Sequence, residues 1–216
     1  MTRKVFLTSI GLIDDQNPSY CSNDFDFDFE GKKFQFPMSY FVDEYVEDGE
    51  EVLLISSYQP NVINGKEQFN ASGKQLIAYE KEVEEILKKK DAKYEFVRVE
   101  TLGHVTGAHA LHVFFKKIVK LLQPEDQLYV DFTRGTKPYS FAMFVAAAAA
   151  EEIFEDAEIV YSIYCQKYTG NTDFERTAPT NICDITGLNI LNSLIGDFRK
   201  GQSVEFLKLL DKVIVD

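Results

Sequence analysis

Five consecutive residues, Thr133-Arg134-Gly135-Thr136-Lys137, bring together two cations, two hydroxyl groups and a glycine. The apolar run Gln127–Phe132 precedes them and the apolar stretch Tyr139–Phe154 follows, which predicts a buried strand, a tight turn and a helix. The first turn of a helix offers unpaired N–H groups and the positive end of the helix dipole. Pro138 fits that turn because the N–H that it lacks would have no partner there. The stretch therefore predicts a site for an anion such as a phosphate group.

The rest of the chain alternates predicted strands with predicted helices, which indicates an α/β fold: a Rossmann-like, mainly parallel sheet flanked by helices. The strands are predicted at Lys4–Ser9, Glu51–Ser57, Tyr94–Val99, Gln127–Phe132 and Glu158–Cys165, with a short extended piece at Pro179–Ile185. In such a sheet, ligands bind beyond the carboxyl ends of the strands. Small and polar residues follow four of these strands, at Ser9-Ile10-Gly11, Ser56-Ser57-Tyr58, Thr101–Gly107 and Thr133–Lys137. We expect these four loops to meet at one edge of the sheet.

Two other segments complete the predicted organisation. Residues 24–36 alternate phenylalanine with charged residues around Gly31-Lys32, which predicts an inserted β-hairpin with one aromatic face. That face packs on the core or, alternatively, forms a platform for nucleobases. Leu188–Arg199 and Ser203–Val215 are predicted as C-terminal helices. We therefore expect a ligand-binding domain over residues 1–186 and a helical appendage over residues 187–216.

Composition limits the classes of partner. The net charge of −12 disfavours general binding to DNA or other nucleic acid, so an anionic ligand needs a local concentration of positive charge. No apolar run reaches the roughly 18–20 residues of a membrane span, and the N-terminus does not have the pattern of a signal peptide. Three widely spaced cysteines match neither a disulfide framework nor a zinc site. We expect a cytoplasmic protein that uses no metal or cofactor and has no membrane partner.

The run Asp131-Phe132-Thr133-Arg134-Gly135-Thr136-Lys137-Pro138 resembles the strand-to-helix motif of CARF domains, the CRISPR-associated Rossmann fold. The motif of one branch is Asp-x-Thr-His-Gly-x-Arg-x-x-Pro, and another branch has Thr-Gly-Gly-Thr-Lys. Arg134 therefore stands where histidine is usual, and Lys137 replaces arginine. Further similarities, in the same order along the chain, are Ser9-Ile10-Gly11, Glu30-Gly31-Lys32, Tyr161-Ser162-Ile163-Tyr164, Ala178-Pro179, Cys183-Asp184-Ile185-Thr186 and Phe198-Arg199-Lys200-Gly201-Gln202.

The resemblance implies a ligand and an assembly. CARF domains are homodimers that bind cyclic oligoadenylate, the second messenger of type III CRISPR antiviral defence, in a groove across the dimer axis. Most are followed by an effector domain, and we expect this chain to lack one. Stand-alone CARF proteins resemble ring nucleases, which cleave the messenger without a metal to linear products with a 2′,3′-cyclic phosphate. The resemblance thus implies a ring nuclease, with cyclic tetra-adenylate as the favoured substrate.

The same resemblance assigns roles. The catalytic candidates are Lys137 for stabilising the phosphate, Ser9 for orienting the ribose or phosphate, and His104 for proton transfer. Arg134 would add a bidentate contact to a phosphate, and Tyr58 would stack on an adenine. The full predicted ligand-binding set is Thr8, Ser9, Ile10, Gly11, Ser57, Tyr58, Gly103, His104, Thr106, Thr133, Arg134, Gly135, Thr136 and Lys137.

Most of these candidates also have a structural interpretation. The hydroxyls of Thr133 and Thr136 also suit turn and cap positions. Arg134 is alternatively a surface residue or an ion-pair partner of Asp131. Lys137 alternatively faces solvent, and His104 is alternatively an ordinary loop residue.

Two other functions stay open beside the ring nuclease. One is a non-catalytic CARF sensor or regulator that binds cyclic oligoadenylate and acts through a partner. The other lies outside the family and is a Rossmann-like enzyme for a different nucleotide.

Overall fold

The chain alternates strands and helices as predicted. The computed structural model describes residues 2–11, 18–63, 66–68, 71–101, 107–167 and 178–197, together with 202, 205 and 207–209. The strands are β1 (Lys4–Ser9), β2 (Tyr20–Cys21), β3 (Glu51–Tyr58), β4 (Asn61–Ile63), β5 (Lys66–Gln68), β6 (Lys93–Glu100), β7 (Gln127–Asp131), β8 (Glu158–Gln166) and β9 (Thr180–Asp184). The helices are α1 (Pro37–Tyr45), α2 (Ala71–Lys89), α3 (Ala108–Val119), α4 (Lys137–Ile153) and α5 (Gly187–Asp197).

Seven of these strands form one sheet in the order β2-β9-β8-β7-β1-β3-β6. Neighbouring strands are parallel except for β8 and β9, which are antiparallel. Strand β1 lies between β3 and β7, so the chain order reverses there, and the crevice beside such a switch point is where open α/β sheets bind ligands. The prediction of a Rossmann-like, mainly parallel sheet is confirmed.

Helices cover both faces of the sheet because the central strands are apolar on both sides. On one face, Phe6, Leu54 and Tyr129 from the strands pack with α1 and α2. On the other face, Leu7, Ile55 and Val130 pack with α3 and α4. These two cores hold the carboxyl ends of β1, β3 and β7 side by side and fix the position of the loops that follow them.

The predicted β-hairpin over residues 24–36 is wrong. The structure has no strand in residues 22–36, and instead Asp28 accepts a hydrogen bond from the backbone N–H of Gly31 in a turn. The phenylalanines of this segment pack into an aromatic cluster that includes Phe41 of α1 and Tyr161 of β8. The aromatic face therefore belongs to the core. Between β3 and α2, the strands β4 and β5 pair in an antiparallel arrangement.

The C-terminal part of the chain is described incompletely. Helix α5 corresponds to the first predicted C-terminal helix, whereas most of Ser203–Val215 lies outside the described residues. Within the described residues, no helix combines the length and the apolar character needed to cross a bilayer.

Candidate anion-binding site

A cavity of about 490 Å³ lies at the carboxyl ends of the central strands. It is lined by Ser9, Ile10, Gly11, Tyr20, Pro37, Ser57, Tyr58, Gln59, Thr101, Thr133, Arg134, Gly135, Thr136, Tyr164, Cys165, Lys167 and Thr180. Loops after β1, β3, β6, β7 and β8 all contribute, which agrees with the predicted meeting of strand ends. Among these described lining residues, Arg134 and Lys167 carry charge and both are cations. In a chain with a net charge of −12, the described lining of this cavity is a local concentration of positive charge.

Several helices begin at the cavity. Pro37, the first residue of α1, and Thr136, the N-cap of α4, both line it. In the first turn of α2, the Ser72 hydroxyl accepts a hydrogen bond from the backbone N–H of Gln59 at 3.3 Å and donates one to the Ile10 carbonyl at 3.4 Å. The positive ends of three helix dipoles thus lie near the same space, which adds to its preference for an anion.

Gly135 is required for the conformation of the loop after β7. Its φ of +92° lies in the region that L-residues with a side chain rarely adopt. A Cβ at this position would lie 2.0 Å from Ser9 Oγ, so the loop passes directly over the end of β1. This packing leaves Ser9 only 3% exposed. The glycine of the motif is therefore explained by backbone geometry and by close approach.

Arg134 lies against two residues that hold it over the cavity. A Cβ on Gly11 would be 3.1 Å from Arg134 Cβ and 3.3 Å from its Cδ, so the aliphatic part of the arginine packs on the glycine. The guanidinium carbon lies 5.9 Å from the centroid of the Phe36 ring, within the range of a cation–π contact. These contacts reduce the side-chain entropy that the arginine would lose on binding an anion.

Asp131, the last residue of β7, lies beneath the loop. Its carboxylate accepts hydrogen bonds from Thr8 Oγ1 at 3.2 Å and from the backbone N–H of Thr133 at 2.8 Å. Burial raises the pKa of this carboxyl, and the hydrogen bonds from Thr133 and Thr8 and the charge of Arg134 partly oppose that shift. The positive charge of Arg134 thus favours the ionised form of Asp131, and an ion pair between the two residues stays a prediction.

The two threonines of the motif differ in their surroundings. Thr133 Oγ1 accepts a hydrogen bond from the backbone N–H of Cys165 at 2.9 Å, so it ties the end of β7 to β8. Thr136 is the N-cap residue of α4, but its side chain makes no capping hydrogen bond, and it is exposed at the cavity. Thr133 thus has the structural role at a turn that the sequence allowed. Thr136 does not cap the helix with its side chain.

The predicted site residues fall into three groups. Those that line the cavity are Ser9, Ile10, Gly11, Ser57, Tyr58, Thr133, Arg134, Gly135 and Thr136. Lys137 and Thr8 do not line it: Lys137 is exposed at the start of α4, and Thr8 is buried under the loop. Gly103, His104 and Thr106 lie outside the described residues. The catalytic roles given to Lys137, Ser9 and His104 therefore remain predictions.

The structure adds lining residues that the sequence interpretation missed. Tyr164 and Lys167, at the end of β8, lie beside the loop after β7 because β7 and β8 are neighbours. The Tyr164 side chain is 46% exposed, whereas Tyr58 is 7% exposed and its hydroxyl donates to Glu100 at 3.3 Å. Tyr164 thus offers more aromatic surface for stacking. Its position at the carboxyl end of a predicted strand was the available signal.

The described lining is suited to binding more than to proton transfer. It contains no aspartate, glutamate or histidine. Burial raises the pKa of the Cys165 thiol well above its ordinary value, so this cysteine stays protonated and is a weak nucleophile. Among the described residues, no cluster of three or more histidine, cysteine or acidic side chains is arranged to hold a metal ion. The cavity can hold and orient an anion with its two basic side chains and its neutral polar groups.

Comparison with known protein families and with curated proteins finds no match. Among solved structures, the chain is similar to Enterococcus italicus Csm6 bound to cyclic hexa-2′-fluoro-hexa-dAMP. The two are 16% identical with a TM-score of 0.47, and the alignment covers 98% of this chain. This chain spans 55% of the length of that protein.

Proposed function

We propose that this protein binds cyclic oligoadenylate in the cavity at the strand ends and cleaves it there without a metal. The observation that carries the proposal is the charge of the cavity: its described lining contains Arg134 and Lys167 and no acidic residue, in a strongly acidic chain. Exposed aromatic surface at Tyr164 lies beside these cations. A ligand with both phosphates and flat bases satisfies both features.

The sequence motif narrows the ligand from a nucleotide in general to a cyclic oligoadenylate. The resemblance to CARF domains centres on Asp131–Pro138, the segment that forms the end of β7, the loop over Ser9 and the start of α4. The segment that carries the resemblance is therefore the one that supplies Arg134 and Thr136 to the cavity.

The size of the cavity favours a shared site. Pockets of roughly 300–1,000 Å³ hold a single drug-sized ligand, and this cavity of about 490 Å³ is at the small end of that range. A ring of four adenylates is far larger than such a ligand. We therefore propose that two copies of the chain each bind part of one ring.

Helix α4 offers a surface for that second copy. Phe141, Val145 and Ile153 follow one another at spacings of four and eight residues, so they lie on one side of the helix, and they are 68%, 40% and 68% exposed. This apolar surface begins one turn from the start of α4, where Thr136 lines the cavity. Dimerisation through it would bring two cavities close together.

Cleavage would require the 2′-hydroxyl of one adenylate to attack the adjacent phosphate, with loss of its proton. The bond from phosphorus to the 5′-oxygen breaks, and that oxygen takes up a proton, which leaves a 2′,3′-cyclic phosphate and a 5′-hydroxyl. Arg134 would stabilise the charge of the pentacoordinate phosphate, and the cavity would hold the attacking and leaving oxygens in line. His104 remains the predicted group for proton transfer.

A non-catalytic sensor is the second candidate, and one observation favours it. The described lining contains no histidine, aspartate or glutamate, and Lys137, the first catalytic candidate, lies outside that lining. Binding needs neither of these. The two candidates share the ligand and the cavity and differ only in whether the ring is opened.

Incubation of the protein with radiolabelled cyclic tetra-adenylate and cyclic hexa-adenylate in the presence of EDTA tests both candidates. Linear products with a 2′,3′-cyclic phosphate support the ring nuclease. A bound ring that stays intact supports the sensor. Failure to bind either ring contradicts both and directs attention to other nucleotides.

A further inference from the structure

We propose that Arg134 and Lys167, and not Lys137 of the sequence motif, are the cations that bind a phosphate group inside the cavity. The proposal rests on the function proposed above for the identity of the ligand. Its structural basis is the position of three cations at one edge of the sheet, of which the structure brings two into the same cavity.

Strands β7 and β8 remain joined by hydrogen bonds beyond their last paired residues. Asp131 pairs with Ile163 in the parallel register. After that pair, the backbone N–H of Phe132 donates to the Ile163 carbonyl at 3.0 Å, and the N–H of Cys165 donates to Thr133 Oγ1 at 2.9 Å. Neighbouring strands lie about 4.8 Å apart, so the two chain segments leave the sheet side by side.

Arg134 and Lys167 follow these last connected residues by one and two positions, and both line the cavity. Each is therefore placed by a neighbouring, hydrogen-bonded segment rather than by a separate loop. Two cations that line one cavity attract an anion more strongly than either does alone. The planar guanidinium suits two oxygens of one phosphate, and the ammonium group acts as a more flexible point charge.

Lys137 is placed differently. It is the first residue of α4, it is exposed, and it lies outside the residues that line the cavity. The turn at Gly135 directs the chain over Ser9, so Arg134 and Lys137 are on different parts of the loop even though only two residues separate them. The charge of Lys137 still adds to the local potential, an effect that salt screens.

The test is a comparison of single lysine variants of the full chain. Binding of cyclic tetra-adenylate and of adenosine 5′-monophosphate is measured by calorimetry for the wild type, Lys167→Ala, Lys167→Arg and Lys137→Ala. Lys117→Ala, which removes an exposed lysine of α3 outside the cavity lining, is the control for net charge. The titrations are repeated at several salt concentrations.

We expect Lys167→Ala to weaken binding about tenfold or more, as for the loss of a hydrogen bond to a charged group. The slope of log K against log salt should fall by roughly 0.7. Lys167→Arg should restore most of the affinity and the slope, and Lys137→Ala should resemble Lys117→Ala.

The ring and the monophosphate separate this proposal from the proposed function. If the wild type binds adenosine 5′-monophosphate in a way that depends on Lys167 but does not bind the ring, the phosphate-binding pair stands and the proposed ligand is wrong. If Lys137→Ala weakens the binding of adenosine 5′-monophosphate as much as Lys167→Ala does, or if Lys167→Ala binds it as the wild type does, the assignment of the pair is overturned. Binding of neither compound also overturns it.

Discussion

At the scale of single residues, position 135 needs a glycine for two independent reasons. Gly135 adopts a φ of +92°, and it leaves no room for a Cβ above Ser9 Oγ. The sequence predicted a tight turn here because glycine follows a buried strand. It could not predict the contact with Ser9, which depends on the pairing of β1 with β7 across more than 120 residues.

We expect Gly135→Ala to lower the free energy of unfolding by about 2–4 kcal/mol, measured by urea denaturation, because it adds both backbone strain and a steric clash. Gly49→Ala is the matched control. Gly49 has a φ of +80°, but no atom lies within 4 Å of the position that its Cβ would take. The loss of unfolding free energy in this variant should therefore come from backbone strain alone. Adding Ser9→Ala to Gly135→Ala should recover part of the loss. Equal costs for the two glycine variants would contradict the role of Ser9.

Asp131 gives a prediction about pH. Its pKa in the folded protein is raised above the ordinary value of 3.8, chiefly by burial, so the folded state binds more protons than the unfolded state. The contribution of this group to stability is therefore fully present below about pH 3.8 and is lost as the pH rises through the folded pKa. Asp131→Asn removes this titration.

The unfolding free energy of Asp131→Asn should consequently rise relative to that of the wild type between about pH 3.5 and pH 7. Denaturant titrations across this range measure the difference, and Asp48→Asn, at an exposed position, is the control for the change in net charge. A difference between Asp131→Asn and the wild type that is constant with pH would show that Asp131 is not titrating as described.

At the scale of elements, the alternation of strands and helices was predictable because buried parallel strands are continuous apolar runs. The conformation of residues 24–36 was not predictable from the sequence. Alternating phenylalanines suit a β-hairpin, and they suit equally well an irregular segment that packs on other aromatic residues. What decides its conformation lies far away in the sequence. Glu82 of α2 accepts hydrogen bonds from the backbone N–H groups of Gln35 and Phe36 and from Ser39 Oγ.

Glu82→Ala should therefore lower the free energy of unfolding by about 2–3 kcal/mol, because it leaves two backbone N–H groups at the start of α1 without their acceptor. Glu85→Ala, an exposed position on the same helix, should change it by no more than about 0.5 kcal/mol. Thermal or urea unfolding of the two variants gives the comparison. Similar losses for both would mean that Glu82 does not anchor the segment.

Helix α5 shows what the sequence could predict about single elements, and the end of β8 at the cavity shows what it could not. The helix was predictable within two residues at either end from its apolar periodicity. Tyr164 and Lys167 were overlooked because a strand pattern predicts where a strand ends, whereas it does not identify the neighbouring strand.

At the scale of the whole molecule, the exposed side of α4 predicts self-association. Phe141 is 68% exposed and Val145 lies one turn further along the same side. We expect the wild type to be a dimer by light scattering coupled to size-exclusion chromatography and Phe141→Asp to be a monomer, since a buried charge would be unpaired in the interface.

Ile77→Asp is the control for this prediction, because Ile77 is also an exposed apolar residue, 44% exposed, but lies on α2 at the opposite face of the sheet. It should remain a dimer. A wild type that is monomeric at micromolar concentration, or an Ile77 variant that dissociates while the Phe141 variant does not, would contradict the proposed interface.

The central claim is that the cationic cavity binds cyclic oligoadenylate, and calorimetric titration of cyclic tetra-adenylate into the wild type and Arg134→Ala tests it most directly. Arg134 is the cation that Gly11 and Phe36 hold at the cavity. The account predicts saturable binding with one ring for every two chains, weakened about tenfold or more by Arg134→Ala. Absence of binding to the wild type, or undiminished binding to Arg134→Ala, would contradict it.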